Sequence, residues 1–311
     1  MQEFSHRPVL LWECIEGLNI KPDGIYLDGT LGRAGHSLEI ARRLTTGRLI
    51  CVDRDQAALN AAEDKLAEVR DRVELVHGNF AGLNQILDRL NIPGVDGMLF
   101  DLGVSSPQLD DAGRGFSYMA EAPLDMRMDR EDALTARTVV NQWPQEELRR
   151  ILFQYGEERY APAIAAAIVR ARGQAPVETT LQLVEIIRSA MPAAALREKQ
   201  HPAKRSFQAI RIAVNDELGA VERMIQQAVP RLRSGGRLAV ISFHSLEDRI
   251  VKNGLAAFAR GCTCPPDFPV CVCGKRPVIR LVNKKPIVSG EDELRENPRA
   301  RSAKLRVAEK I

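Results

Sequence analysis

Three glycines and the acid that follows them in the sequence are the residues best suited to binding a ligand. The segment Asp28-Gly-Thr-Leu-Gly-Arg-Ala-Gly-His36 has glycines at 29, 32 and 35, and glycine lets a backbone approach a ligand closely. Its Gly-x-x-Gly-x-x-Gly spacing differs from the Gly-x-Gly-x-x-Gly of dinucleotide binders. Asp53 ends the next apolar run and is placed to bind both ribose hydroxyls of an adenosine, although it could instead cap a helix. The set fits nicotinamide cofactors and S-adenosylmethionine alike.

A second polar segment, Asp101-Leu-Gly-Val-Ser-Ser-Pro-Gln108, follows another apolar run. It is similar to the Asp/Asn/Ser-Pro-Pro-aromatic loops of amino-group methyltransferases, which aim hydrogen-bond acceptors at an exocyclic NH2. That nitrogen is a poor nucleophile because its lone pair is delocalised into the ring, so fixed acceptors and in-line placement of the methyl group provide the catalysis. Asp101 and Ser106 are therefore catalytic candidates. An ordinary turn at Ser105-Ser106-Pro107 is the alternative.

Four of the six cysteines lie close together, in Cys262-Thr-Cys264-Pro-Pro-Asp-Phe-Pro-Val-Cys271-Val-Cys273. Two Cys-x-Cys pairs across a short loop can arrange four thiolates around zinc, although one intervening residue is fewer than the usual two to four. Thiols in a hairpin are the alternative. The other two, Cys14 and Cys51, are predicted core residues.

The apolar runs predict the elements that position these groups. Strands are expected at Ile25–Leu27, Arg48–Val52, Val73–Val76 and Gly97–Phe100, with helical segments between them. This alternation predicts βαβ units and a parallel sheet covered on both faces. Ligands of such sheets bind beyond the carboxyl ends of the strands, where the glycines and acids lie.

The middle of the chain has a different pattern. No comparable strand is found between about Asp110 and Asn215, and helices are predicted after Pro144, from Glu157 to Arg172, after Thr179, and from about Ala203 to Val229. A strand then resumes at Gly235–Phe243. The sequence therefore predicts an α/β domain, residues 1–109 and 215–311, interrupted by an all-helical domain, residues 110–214.

Composition narrows the class of protein. The 311 residues are 45% hydrophobic and 27% charged, with a net charge of only +3. No run reaches the ~18 to 20 apolar residues of a membrane span, and the first residues lack the pattern of a secretory signal, which favours a cytoplasmic protein without membrane contact. Residues 274–311 contain eleven Lys/Arg against five Asp/Glu, which indicates either a basic arm for phosphates or a solvated tail.

Eight ordered motifs, which lie between His6 and about Arg306, resemble those of the RsmH (MraW) family. Besides the two polar segments above, they are Arg114–Ser117, Pro123–Met128, Tyr155–Arg159, Phe207–Arg211, Ser242–Asp248 and Asn297–Arg301. The resemblance implies a Rossmann-like class I methyltransferase with a mostly parallel sheet and S-adenosylmethionine as cofactor. It also implies methylation of the exocyclic N4 of a cytidine in the decoding centre of 16S ribosomal RNA, within the small ribosomal subunit.

The resemblance assigns roles to single residues. It implies that Ala34, Gly35 and His36 line the cofactor, that Asp53 binds the ribose, that Phe80 lies beside the adenine, and that Asp101 and Gln108 complete the site. The family usually has glycine where this chain has Ala34, and we expect the extra methyl group to be tolerated if φ of residue 34 is negative.

Other residues keep two interpretations. His244 either faces the target base or is structural, and Asp125 is either functional or a salt-bridged loop carboxylate.

The predicted RNA-binding surface lies on the helical insertion, near the point where the chain leaves it. Its residues are Arg197, Lys199, Lys204, Arg205 and Arg211.

Two rival functions are an oxidoreductase and a non-catalytic RNA-binding module. The glycine spacing disfavours the first and the complete cofactor loop disfavours the second. A DNA cytosine-N4 methyltransferase is a nearer chemical neighbour, and only the resemblance favours RNA over DNA.

Overall fold

The computed structural model describes residues 8–265, 268–270 and 272–311; His6 and Cys271 therefore lie outside the described residues. The chain forms two compact units. The sheet unit comprises the chain up to Gly103 and from Leu218 onward, and the helical unit runs from Val104 to Glu217. Within the described ranges, every helix is too short or too polar to cross a membrane.

The sheet unit is built on seven strands in the order β3-β2-β1-β4-β5-β7-β6. Their bounds are Ile25–Asp28 (β1), Arg48–Asp53 (β2), Val73–His77 (β3), Val95–Asp101 (β4), Leu232–Ser242 (β5), Ile279–Leu281 (β6) and Lys304–Lys310 (β7). The first five pair in parallel, whereas β7 is antiparallel to both β5 and β6. This mostly parallel Rossmann-like sheet confirms the predicted fold class.

The strands form where apolar residues run without alternation, because both faces of the sheet are covered. From Leu49 to Val52 every residue of β2 is fully buried. One face packs against α1 (Leu11–Leu18), α2 (Gly35–Ala41) and α3 (Gln56–Lys65). The other face packs against α4 (Leu83–Arg89), α12 (Glu217–Arg231) and α13 (Ser245–Ala259), and a short α14 (Glu291–Glu296) precedes β7.

The helical unit has its own hydrophobic core. Its helices are α5 (Ser106–Asp110), α6 (Ala136–Gln142), α7 (Gln145–Gln154), α8 (Ala161–Arg172), α9 (Thr180–Ser189), α10 (Ala193–Leu196) and α11 (Lys204–Asn215). Thr179 caps α9, since its hydroxyl accepts a hydrogen bond from the Gln182 N–H while the Gln182 side chain accepts one in return. This reciprocal arrangement satisfies two N–H groups that a helix start leaves unpaired.

The single long helix predicted from Ala203 to Val229 is wrong. Helix α11 ends at Asn215, Asp216 has a left-handed φ of 46°, and α12 begins at Glu217. The buried Asn215 side chain accepts a hydrogen bond from the Met128 N–H and donates one to the Met126 carbonyl. Similarly, the helix expected from Glu157 begins at Ala161, since Glu157 has a positive φ of 49°.

The solvated-tail interpretation of residues 274–311 is also wrong, because β6 and β7 complete the sheet there. Strand β7 lies between β5 and β6, and Leu305, Val307 and Ala308 are buried. Some of the basic residues are paired: the Arg306 guanidinium donates to Asp248 at 2.7 Å, and Arg280 donates to Glu309 at 2.7 Å.

Candidate active site

Three acids end adjacent strands at the carboxyl edge of the sheet. Asp28 ends β1, Asp53 ends β2 and Asp101 ends β4. In the register of the sheet, Asp28 is opposite Cys51 of β2 and Leu99 of β4. The chain leaves β1 towards β2 on one side and returns to β4 on the other, and such a switch point opens a crevice for a ligand.

The turn after β1 is held by a hydrogen-bonded chain that the sequence did not reveal. The buried Asp28 carboxylate accepts hydrogen bonds from the Thr30 N–H at 3.1 Å and the Ser37 hydroxyl at 2.6 Å. The Thr30 hydroxyl in turn accepts from the Asp101 N–H at 2.6 Å. Burial raises the pKa of Asp28, and these hydrogen bonds oppose that rise. The only sign of these hydrogen bonds in the sequence was an acid at the end of a strand, beside a turn that contains glycine.

Asp53 holds the glycine loop in place. Its Oδ2 accepts a hydrogen bond from the Gly32 N–H at 2.8 Å, and its Oδ1 accepts one from the Asp55 N–H at 2.9 Å. The helix-cap alternative is wrong, because Asp55 caps α3. Burial raises the pKa of Asp53 to about 6. Each carboxylate oxygen has a second lone pair, so ribose hydroxyls remain possible partners.

Ala34 does not meet the condition that we expected for it. Its φ is +56°, in the left-handed region that costs a residue with a Cβ roughly 1–2 kcal/mol. The residue is fully buried and belongs to the core of the sheet unit. Its geometry therefore gives no support for direct cofactor contact, which stays a prediction.

His36 is buried next to Asp101. Its Nε2 lies 3.0 Å from the Val9 carbonyl oxygen, and its Nδ1 lies 3.9 Å from Asp101 Oδ2. Because the carbonyl only accepts, we assign the proton to Nε2 and leave Nδ1 as an acceptor. Burial lowers the pKa of His36 to about 4, so the ring is neutral at neutral pH and forms no ion pair with Asp101.

The chain before α1 packs onto this loop. A Cβ on Gly35 would lie 2.2 Å from Pro8 Cγ, so only glycine fits there without displacing the proline. The Leu10 N–H donates to Glu293 at 2.7 Å. The glycine at position 35 thus serves a contact within the protein, besides any approach to a ligand.

Of the three acids at this edge of the sheet, Asp101 has the pKa that is shifted furthest from its ordinary value. Burial, together with the nearby Asp28 and Glu247 charges, raises the pKa of Asp101 to about 8. Its Oδ1 has no hydrogen-bond partner among the described residues, yet 26% of the side chain is exposed. A buried acceptor without a partner costs free energy, which a ligand that donates a hydrogen bond would recover.

Phe80 follows β3 and is half-buried. Its ring meets Phe100 edge to face, with centroids 5.7 Å apart and an interplanar angle of 71°. The Asn79 side chain caps the short turn Phe80–Gly82 by accepting from the Ala81 N–H. The ring is thereby fixed at the end of β3.

Ser106 and Gln108 belong to the helical unit. Instead of the ordinary turn, the structure has α5 beginning at Ser106, with Ser105 as its cap. Gln108 is buried, and its Oε1 accepts a hydrogen bond from the Ser105 N–H at 3.1 Å. The proposed cofactor contact of Gln108 stays a prediction.

The chain matches known proteins along its whole length. The model of the MraW methylase family matches residues 3–311. The chain belongs to the MraW methylase family. Two curated relatives carry the name ribosomal RNA small subunit methyltransferase H. The one from Paenibacillus sp. is 58% identical, covering 99% of this chain and 100% of its own, and the one from Heliobacterium modesticaldum is 57% identical, covering 99% of each.

Among solved structures, a putative rRNA-methylase from Clostridium thermocellum is similar, with 11% identity, 98% of each chain covered and a TM-score of 0.47. Membership of the MraW methylase family confirms the resemblance and the enzyme class, with S-adenosylmethionine as cofactor.

In this MraW methylase, two residues with open interpretations have structural partners. His244 caps α13: its Nδ1 accepts from the Glu247 N–H at 3.4 Å and its Nε2 lies 3.1 Å from Glu247 Oε1. Asp125 forms two hydrogen bonds of 2.8 Å with the Arg127 guanidinium. Burial favours a higher pKa for Asp125, but Arg127 lowers it below its ordinary value. Both observations favour the structural interpretations.

Proposed function

We propose that this MraW methylase methylates the exocyclic N4 of a cytidine in the decoding centre of 16S ribosomal RNA, within the small ribosomal subunit. The names of its relatives support ribosomal RNA as substrate. The observation that carries the chemistry is the partnerless Oδ1 of Asp101 at the end of β4. The proposal places the protein in the cytoplasm, where ribosomal subunits are found.

Asp101 is suited to a target amino group. As a carboxylate it accepts a hydrogen bond from an N–H of the base, and that bond favours its ionised form and lowers its pKa from about 8. The same contact turns the nitrogen lone pair towards the methyl group, which S-adenosylmethionine supplies when bound. With a pKa near neutrality, Asp101 can also hold the proton that the amino group releases. Ser106 is proposed as a further acceptor, whereas His244 is not, because both of its ring nitrogens face Glu247.

The cofactor contacts follow the geometry of the strand ends. We assign the ribose hydroxyls to Asp53, the adenine to the face of Phe80, and the remaining contacts to Gly35, His36 and Gln108. A neutral His36 suits a cofactor that carries a positive sulfonium, because a charged ring would repel it. Ala34 is then a support of the loop.

RNA recognition is assigned to the helical unit. Arg197, Lys199 and Lys204 are exposed and Arg205 is half-exposed, and such cations bind phosphates. Arg211, predicted with them, forms two hydrogen bonds of 2.8 Å with Glu217, so we remove it from the set.

Reversing Lys204 and Arg205 to glutamate tests this surface. We expect weaker RNA binding, a shallower dependence on salt, and unchanged cofactor affinity. The matched control reverses Arg149 and Arg150, which pair with Glu146 and Glu147 on α7. An equal loss of RNA affinity in both variants would show that only net charge matters.

The function is tested by transfer of labelled methyl groups to small ribosomal subunits that lack the modification, followed by nucleoside analysis. The expected product is N4-methylcytidine at one site, and Asp101→Ala should abolish it while cofactor binding is measured separately. Cofactor binding without transfer to the subunit, but with transfer to DNA or protein, would overturn the proposed substrate.

A further inference from the structure

Three cysteine sulfurs lie together in the segment between α13 and β6. One sulfur atom from each of Cys262, Cys264 and Cys273 lies within 4.8 Å of the others. The Sγ atoms of Cys262 and Cys273 are 3.8 Å apart. Cys271, the fourth cysteine of the sequence hypothesis, lies outside the described residues.

The distance between the Cys262 and Cys273 sulfurs is the one expected for two ligands of the same metal ion. Sulfurs bound to zinc at about 2.3 Å in tetrahedral geometry are about 3.8 Å apart along each edge. A disulfide would bring two sulfurs to about 2.05 Å, far closer than the 3.8 Å between Cys262 and Cys273. In addition, one disulfide would join only two of the three neighbouring sulfurs.

Backbone N–H groups contact two of these three sulfurs. The Cys264 N–H donates to Cys262 Sγ at 3.4 Å, and the Thr263 N–H donates to Cys273 Sγ at 3.4 Å. In metal sites such second contacts orient the ligands.

The described part of this segment is largely exposed and irregular. The described residues between Arg260 and Val278 contain no helix or strand. Its apolar side chains face solvent: Phe268 is 50%, Val270 70% and Val272 73% exposed. A cross-link within such a segment would reduce the number of conformations that it can adopt.

From this geometry we propose that Cys262, Cys264 and Cys273 bind one Zn²⁺ ion, which fixes the segment between α13 and β6. The all-sulfur set selects a soft ion and disfavours Mg²⁺ or Ca²⁺. The proposed role of the site is structural.

Elemental analysis of the full chain, purified under reducing conditions without added metal or chelator, tests the site. We expect about one zinc per chain, and far less for Cys262→Ser and for Cys273→Ser. Cys51→Ala, which changes a buried core cysteine, is the control and should keep its zinc. After exposure to Zn²⁺ and desalting, a wild-type zinc content no higher than that of Cys262→Ser would overturn the proposal.

Two measurements on the unmodified chain do not depend on variants. Loading with Co²⁺ should give the absorption of a tetrahedral thiolate complex. Chelation should also speed cleavage by trypsin after Lys275, with no change in the melting temperature of the sheet unit. Recovery of a Cys262–Cys273 disulfide from the reducing preparation, or cleavage that chelation leaves unchanged, would refute the site.

Discussion

Replacing Ala34 with glycine would measure the strain in the turn before α2. The left-handed φ of +56° costs an alanine about 1–2 kcal/mol that glycine does not incur. Two losses oppose this gain. The greater freedom of glycine in the unfolded chain costs about 0.5–1 kcal/mol, and the loss of the buried methyl group costs about 0.8 kcal/mol. We therefore expect the free energy of unfolding to change by less than about 1 kcal/mol.

Ala62→Gly is the matched control. Ala62 is equally buried, within α3 of the same unit, but its helical conformation offers no strain to relieve. Its replacement should cost about 2 kcal/mol, from helix propensity and the lost methyl group together. Urea denaturation of both variants and the parent checks the difference of about 1–2 kcal/mol. Equal destabilisation would refute the strain at Ala34.

Three more predictions concern polar side chains that are wholly or partly buried. Because folding raises the pKa of Asp101 to about 8, the folded chain binds an extra proton and should lose stability as pH rises from about 4 to about 8. Asp101→Asn should remove this loss, so urea midpoints at pH 5 and pH 9 should differ less than in the parent. Asp53→Asn should weaken S-adenosylhomocysteine binding about 10- to 100-fold by calorimetry, through loss of charged hydrogen bonds; unchanged affinity would exclude Asp53 from the cofactor site. Asn215→Ala leaves the Met126 carbonyl and Met128 N–H without this partner and should destabilise the helical unit by about 2–4 kcal/mol by hydrogen exchange, whereas an effect below that of an exposed Asn60→Ala control would contradict the role.

The parallel sheet was predictable because its strands contain apolar runs, and three of these strands end in acids. Leu49–Val52 and Asp53 illustrate this: burial on both faces removes the alternation of an exposed strand, and the acid marks the end. The glycine loop was also predictable, because glycines clustered after the end of a strand have few roles other than a turn that lets the backbone approach a ligand.

Features that depend on distant contacts were not predictable. Strand β7 alternates charged and apolar residues in a basic segment, and only its pairing with β5 and β6 makes it a strand. The break at Asp216 depends on hydrogen bonds of Asn215 to residues almost ninety positions earlier. The hydrogen bonds that Asp28 accepts from Thr30 and Ser37 likewise depend on the folded geometry of the turn.

The place of β7 in the sheet has a consequence for how the protein is made. Strand β5 pairs on one side with β4 and on the other with β7, and Lys304 follows its neighbour Ser242 by 62 residues. During synthesis the chain emerges from its amino end, so one edge of β5 stays unpaired until residues 304–310 leave the ribosome. Exposed strand edges invite pairing with other chains. The time between the synthesis of β5 and that of β7 is therefore when the nascent chain is most open to aggregation, and when a chaperone would have most effect.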